Sequence, residues 1–252
     1  MTVRWPVILV FYVLACAVSW PLFWLTRYSG IEPVVPPPLL SLGFMWGPGI
    51  AALICWAIFR YPGRSWTFWG SWRFALAFYV APLLVLTAVL YAVIGQGALL
   101  ILPLGGLFGF LMTLGEELGW RGWLQDALRP IPRVWRYVLI GAMWEFWHMR
   151  FGGAIFGDMA WADVLLMEAK WLAGGILIAA VIGEAMDRGG ALIVAITLHL
   201  WVNLVMSGEI VGMLGDEAQL PVAIVAGVSI LWWLWLLQGR RLTARDSQAV
   251  LA

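Results

Sequence analysis

Apolar positions in this chain gather into eight long runs, near 6–26, 38–59, 74–95, 98–120, 134–151, 164–185, 190–207 and 219–238, with short polar stretches between them. A helix that crosses the hydrocarbon core needs roughly 20 mostly apolar residues. The pattern therefore predicts an all-α, polytopic integral membrane protein of about eight transmembrane helices, forming one domain over residues 1–252. The first run follows Arg4 and contains the small residues Ala15-Cys16-Ala17, as a signal peptide does. At about 20 residues it is long for that role, and seven further runs follow, so it reads as a retained first helix. The connections near 27–37 and 60–73 are too short to hold a soluble domain. Val35-Pro36-Pro37-Pro38 reads as a stiff extended connector.

The arginines orient the helices. With both termini on the cytoplasmic side, Arg4, Arg60, Arg64, Arg73, Arg121, Arg129, Arg133, Arg136, Arg188, Arg240, Arg241 and Arg245 all fall on that side. Only Arg27 and Arg150 fall opposite, and Lys170 lies within a run. That asymmetry is the positive-inside signature, and it requires an even number of spans. Composition agrees. Of 252 residues, 63% are hydrophobic and 12% charged, with a mean hydropathy of +0.90, whereas a soluble domain is about one quarter charged. Nineteen tryptophans suit the lipid–headgroup boundary. A net charge of +1 argues against a nucleic-acid partner. Cys16 and Cys55 lie inside apolar runs and read as small hydrophobes. Minimal loops, many arginines and a single lysine suggest a bacterial inner membrane.

Ionisable residues inside a membrane are costly and each demands a reason. Glu168 and Lys170, near one end of the sixth run, can snorkel to the headgroups. Glu184, beside Asp187 and Arg188, reads as a boundary residue. The segment Gly115-Glu116-Glu117-Leu118-Gly119-Trp120-Arg121 is harder to dismiss. Glu117 and Arg121 stand four apart and can neutralise each other. Glu116 points about 100° away on the helical wheel and is left to face something else. The only two histidines, His148 and His199, both fall inside predicted spans, and Asn203 follows His199 by four residues on the same face. Measured from Asp126, Arg136 and Arg188 as boundary markers, Glu116, His148 and His199 sit about 15 to 18 Å deep at 1.5 Å per residue.

A carboxylate, two imidazoles and an amide are parts for activating water. In one arrangement Glu116 and His148 polarise a water that attacks a peptide carbonyl, and His199 and Asn203 stabilise the oxyanion. In the other, Glu116, His148 and His199 bind a divalent, zinc-like ion that keeps a position open for water. Either would make a hydrolase acting on a peptide or protein substrate within the bilayer.

The order Glu-Glu-x-x-x-Arg, then an aromatic segment ending in His, then His-x-x-x-Asn resembles the CAAX-protease and bacteriocin-processing family of intramembrane proteases, over about 100–206. Its EExxxR motif matches Glu116, Glu117 and Arg121. Its FxxxH motif matches His148, with Trp144 standing where Phe is usual. Its HxxxN motif matches His199 and Asn203. The resemblance implies that Glu116 is the catalytic carboxylate, supported by Glu117 and Arg121. His148 would share the water, and His199 with Asn203 would complete the site. It leaves metal-dependent and glutamate-dependent mechanisms open. Glu145 is a feature of this chain, expected to orient the His148 imidazole or else to face a polar crevice. The rival readings are a non-catalytic scaffold or immunity-type regulator with a structural polar cluster, a proton-coupled transporter, and haem ligation by His148 and His199.

Overall fold

The computed structural model describes residues 2–30, 37–206 and 215–238. Among these the fold is helical, with one isolated β-type pairing between Thr67 and Ala191. Helices α1 (Trp5–Arg27), α2 (Pro37–Met45) and α3 (Gly47–Phe59) come first. Next, α4 (Trp72–Ala75) runs through a π segment, π1 (Leu76–Val80), into α5 (Ala81–Ile94). Helix α6 (Gly97–Glu117) continues as π2 (Leu118–Leu124) and the short α7 (Gln125–Ala127). Then come α8 (Arg133–Trp147), the single turn α9 (Gly152–Ile155), and α10 (Trp161–Gly189). Helix α11 (Leu192–Trp201) passes into π3 (Val202–Met206), and α12 (Gln219–Leu237) closes the described chain.

Four helical stretches are long and apolar enough to cross a membrane: Trp5–Arg27, Trp72–Val93, Trp161–Gly189 and Asp216–Leu237. The expected run at 38–59 is two helices, Leu39–Met45 and Gly47–Phe59, bent by 42°, and would make a fifth crossing. Gly47-Pro48 lies at that break, where proline suits the first turn of a new helix. The expected runs at 98–120, 134–151 and 190–207 are also helical, as α6 with π2, α8, and α11 with π3. By length and composition, four or five of the described helical stretches qualify as crossings. Pro37 and Pro38 begin α2 instead of forming an extended connector. Val35, Pro36, Arg240, Arg241 and Arg245 lie outside the described residues.

The described residues fall into two compact units, Met1–Arg64 with Leu114–Gly183, and Ser65–Thr113 with Glu184–Ala252. The first unit has an aromatic core. Phe11 stacks on Trp123 at 4.4 Å, Phe23 stacks on Phe44, and Trp120 meets Trp147 edge-on at 5.9 Å. Helix α1 also supplies polar ties: Tyr12 donates to Met143 O and Trp20 to Trp147 O, each at 3.0 Å. These bonds serve carbonyls in the last turn of α8, where a helix runs out of its own donors. Glycines let helices meet backbone to backbone. A Cβ on Gly115 would collide with Trp46, and one on Gly119 would collide with Pro48.

In the second unit, α11 is enclosed from Leu192 to Thr197. Its start is pinned by Leu192 N–H donating to Thr67 O at 2.9 Å. Trp233 stacks on Phe78 at 5.6 Å and donates to its carbonyl at 2.8 Å, holding α12 against π1. Large apolar side chains such as Leu9, Ile58, Leu84, Leu165 and Leu231 are exposed, as a lipid-facing surface requires. Trp5, Trp72, Trp135 and Trp161 are exposed near helix ends, suiting the interface. Cys16 and Cys55 are buried and free, consistent with their reading as small hydrophobes.

Candidate active site

The end of α6 changes its hydrogen-bond register at Leu118. Gln125 N–H bonds Trp120 O, five residues back, so the helix is one residue wider per turn across π2. Gly119 sits directly on Pro48 here, and Gly119 to Leu124 are all buried. This segment carries both carboxylates of the first motif inward. Glu116, Glu117 and Arg121 are each 0% exposed.

The adjacent glutamates take different partners. Arg121 Nη1 donates to Glu117 Oε1 at 3.2 Å, an ion pair with both side chains out of solvent. Glu116 Oε2 instead accepts a 2.7 Å hydrogen bond from Trp144 Nε1 on α8. The Arg121 guanidinium lies 5.4 Å over the Trp144 ring, so one indole contacts both Glu116 and Arg121 of the motif.

His148 caps α8 rather than lying within a continuing helix. The next residue, Met149, has a left-handed φ of 55°, and the chain turns into α9. The expected run to 151 therefore breaks at the site. His148 Nδ1 lies 2.9 Å from Trp144 O. A carbonyl can only accept, so Nδ1 carries the proton of this bond. Trp144 and Trp147 flank the imidazole edge-on, each 5.1 Å away.

Glu145 takes a further partner, Arg150, beside His148. Its Oε2 is 3.9 Å from His148 Nδ1, beyond hydrogen-bonding distance, and accepts from Arg150 Nη2 at 3.2 Å. Arg150 also lies 4.3 Å over the Trp171 ring. The Arg150 link escapes a helical reading because the left-handed turn at Met149 intervenes. Gly175 makes room for Glu145, whose side chain occupies the place a Cβ there would take. Glu145 and Glu168 line an otherwise apolar cleft of about 600 Å³, with Tyr12, Met143, Phe151 and Leu172 also in its wall. Glu168 thus faces this cleft rather than simply reaching the headgroups, whereas Lys170 is exposed.

His199 and Asn203 lie in the second unit. His199 is buried in the last turn of α11, and Asn203 lies in π3, partly buried. The structure thus brings Glu116, Glu117, Arg121, Trp144, Glu145 and His148 together within the first unit, while the third motif belongs to the other. Among the described residues, no group of three or more His, Cys, Asp or Glu side chains could hold a metal ion. The expected zinc set of Glu116, His148 and His199 draws on both units.

Two of the boundary markers used for depth are themselves buried. Asp126 is 6% exposed and paired to Arg129 at 3.0 Å, and Arg136 is 3% exposed beside Tyr137. Glu184 and Arg188 pair at 3.0 Å, with both side chains partly exposed.

Comparison with known proteins adds an independent finding. The family model for type II CAAX prenyl endopeptidase Rce1-like matches residues 97–205. That stretch runs from the start of α6 into π3 and contains all eight singled-out residues. No curated protein matches the chain.

Proposed function

We propose that this chain, whose residues 97–205 match the family model for type II CAAX prenyl endopeptidase Rce1-like, is an intramembrane endopeptidase using Glu116 as general base. The observation that carries this reading is a fully buried carboxylate, Glu116, oriented by an indole N–H beside a neighbouring glutamate that serves an arginine. A water placed between Glu116 and His148 Nε2 loses a proton to Glu116 and attacks the peptide carbonyl carbon. The tetrahedral oxyanion takes hydrogen bonds from His199 and Asn203, a role that rests on their sequence motif. The proton then passes to the amide nitrogen, the C–N bond breaks, and an acid and an amine leave. A positioned base of this kind contributes about 10²- to 10⁴-fold, and an oxyanion donor about 10²- to 10³-fold.

The lipid-facing helices and the family support a membrane-associated peptide or protein as substrate. The eight-crossing topology, with both termini on the arginine-rich side of a bacterial inner membrane, is likewise our proposal from the charge pattern. The test compares wild type in detergent with Glu116→Ala, His148→Ala and His199→Ala on a quenched peptide library, alongside melting temperatures. Loss of cleavage with melting preserved supports the hydrolytic site. A wild type that cleaves nothing, with variants that melt far lower, makes the cluster a structural one and the protein a scaffold.

A further inference from the structure

We infer that Trp144 is a positioning residue for both Glu116 and His148: its indole N–H orients the carboxylate and its carbonyl sets the imidazole tautomer. The inference deepens the peptidase reading and rests on it. Two bonds of different origin carry it. The side chain donates to Glu116 Oε2 at 2.7 Å, and the backbone of the same residue accepts from His148 Nδ1 at 2.9 Å. Both groups therefore take their orientation from one point on α8.

An N–H donor placed on one oxygen of a buried carboxylate directs the other oxygen elsewhere. A bond to a charged acceptor is also stronger than one between neutral groups. Phenylalanine, which stands at this place in the motif that the chain resembles, can fill the space but cannot donate. The rest of the environment suits a fixed ring. Trp144 is 4% exposed, Arg121 sits over its face, and His148 meets its edge. These contacts depend on an aromatic face or on the backbone, so Trp144→Phe removes the N–H while leaving the Nδ1 bond and most of the packing.

The test separates the contact from its role. Indole ¹H–¹⁵N resonances of the full chain in detergent are recorded for wild type, Trp144→Phe and Glu116→Gln. The peak missing in Trp144→Phe identifies Trp144, and it moves in Glu116→Gln if the carboxylate is its acceptor. No cleavage is needed for this arm. In the second arm, Trp144→Phe lowers kcat about tenfold, with KM and melting temperature little changed. Replacing Trp144 by benzothienylalanine, which has sulfur in place of N–H, reproduces the loss, and 4-fluorotryptophan, which keeps the N–H, restores turnover. The inference is overturned if the Trp144 peak ignores Glu116→Gln, or if kcat in Trp144→Phe stays within about twofold of an active wild type. A wild type that cleaves nothing refutes the peptidase reading instead, and the spectra alone then decide whether Trp144 holds Glu116.

Discussion

Replacing Arg121 with methionine removes the cation from a pair that is wholly enclosed. Glu117 Oε1 lies 3.2 Å from Arg121 Nη1, and both side chains are out of solvent. Losing one member of such a pair strands a buried charge and costs about 3–5 kcal/mol. The guanidinium also sits 5.4 Å over Trp144, worth about 1–2 kcal/mol when desolvated. A loss of roughly 4 kcal/mol is thus the central expectation. At about 2–4 °C per kcal/mol for a chain near this length, Arg121→Met should melt roughly 8–16 °C below wild type. The double variant Glu117→Gln/Arg121→Met removes both charges and should recover most of the loss, because an uncharged pair leaves no stranded ion. The assay is thermal unfolding in one detergent, followed by tryptophan fluorescence, for wild type, both single variants and the double. Additive losses in the double variant, or a single variant melting within about 2 °C of wild type, would refute the claim that this pair is a coupled structural element.

Three further outcomes are expected. Glu116→Gln keeps an acceptor for Trp144 but no base, so cleavage falls about 10²- to 10⁴-fold while melting stays close to wild type; parallel kinetics and melting curves decide. Gly119→Ala forces a Cβ onto Pro48 and should cost about 1–3 kcal/mol, seen as lower melting. Gly63→Ala, which meets open space, serves as the neutral control. Removing divalent ions with a chelator should leave cleavage unchanged. If cleavage is instead abolished and zinc restores it, Glu116, His148 and His199 become metal ligands.

The sequence made much of the helical architecture legible, because lipid demands long apolar segments and hydropathy records them directly. It was less informative where an apolar run also had to bend. The run at 38–59 breaks around Trp46 because Gly47-Pro48 starts a second helix and presses against Gly119. Hydropathy is blind to that contact between backbones. The same packing accompanies the π register of Leu118–Leu124, which a 3.6-residue period does not anticipate. Burial of the markers was not legible either: Asp126 and Arg136 are ionisable, yet each is buried beside a nearby side chain.

At the candidate site the helical wheel separated Glu116 from Glu117, since residues four apart on one helix must be neighbours. It was silent on what Glu116 faces, because that partner comes from another helix. Trp144 read only as standing where Phe is usual, yet its N–H is the group that reaches Glu116. Glu145 read either as the imidazole's support or as facing a crevice, and the bond that Arg150 makes to it across a left-handed turn was in neither reading. In both cases the periodic part of the sequence names neighbours along one helix, while the chemistry depends on a donor from outside that period. A carboxylate's surroundings in a membrane follow from the donor it meets: Arg121 pairs with Glu117, and an indole N–H from another helix holds Glu116.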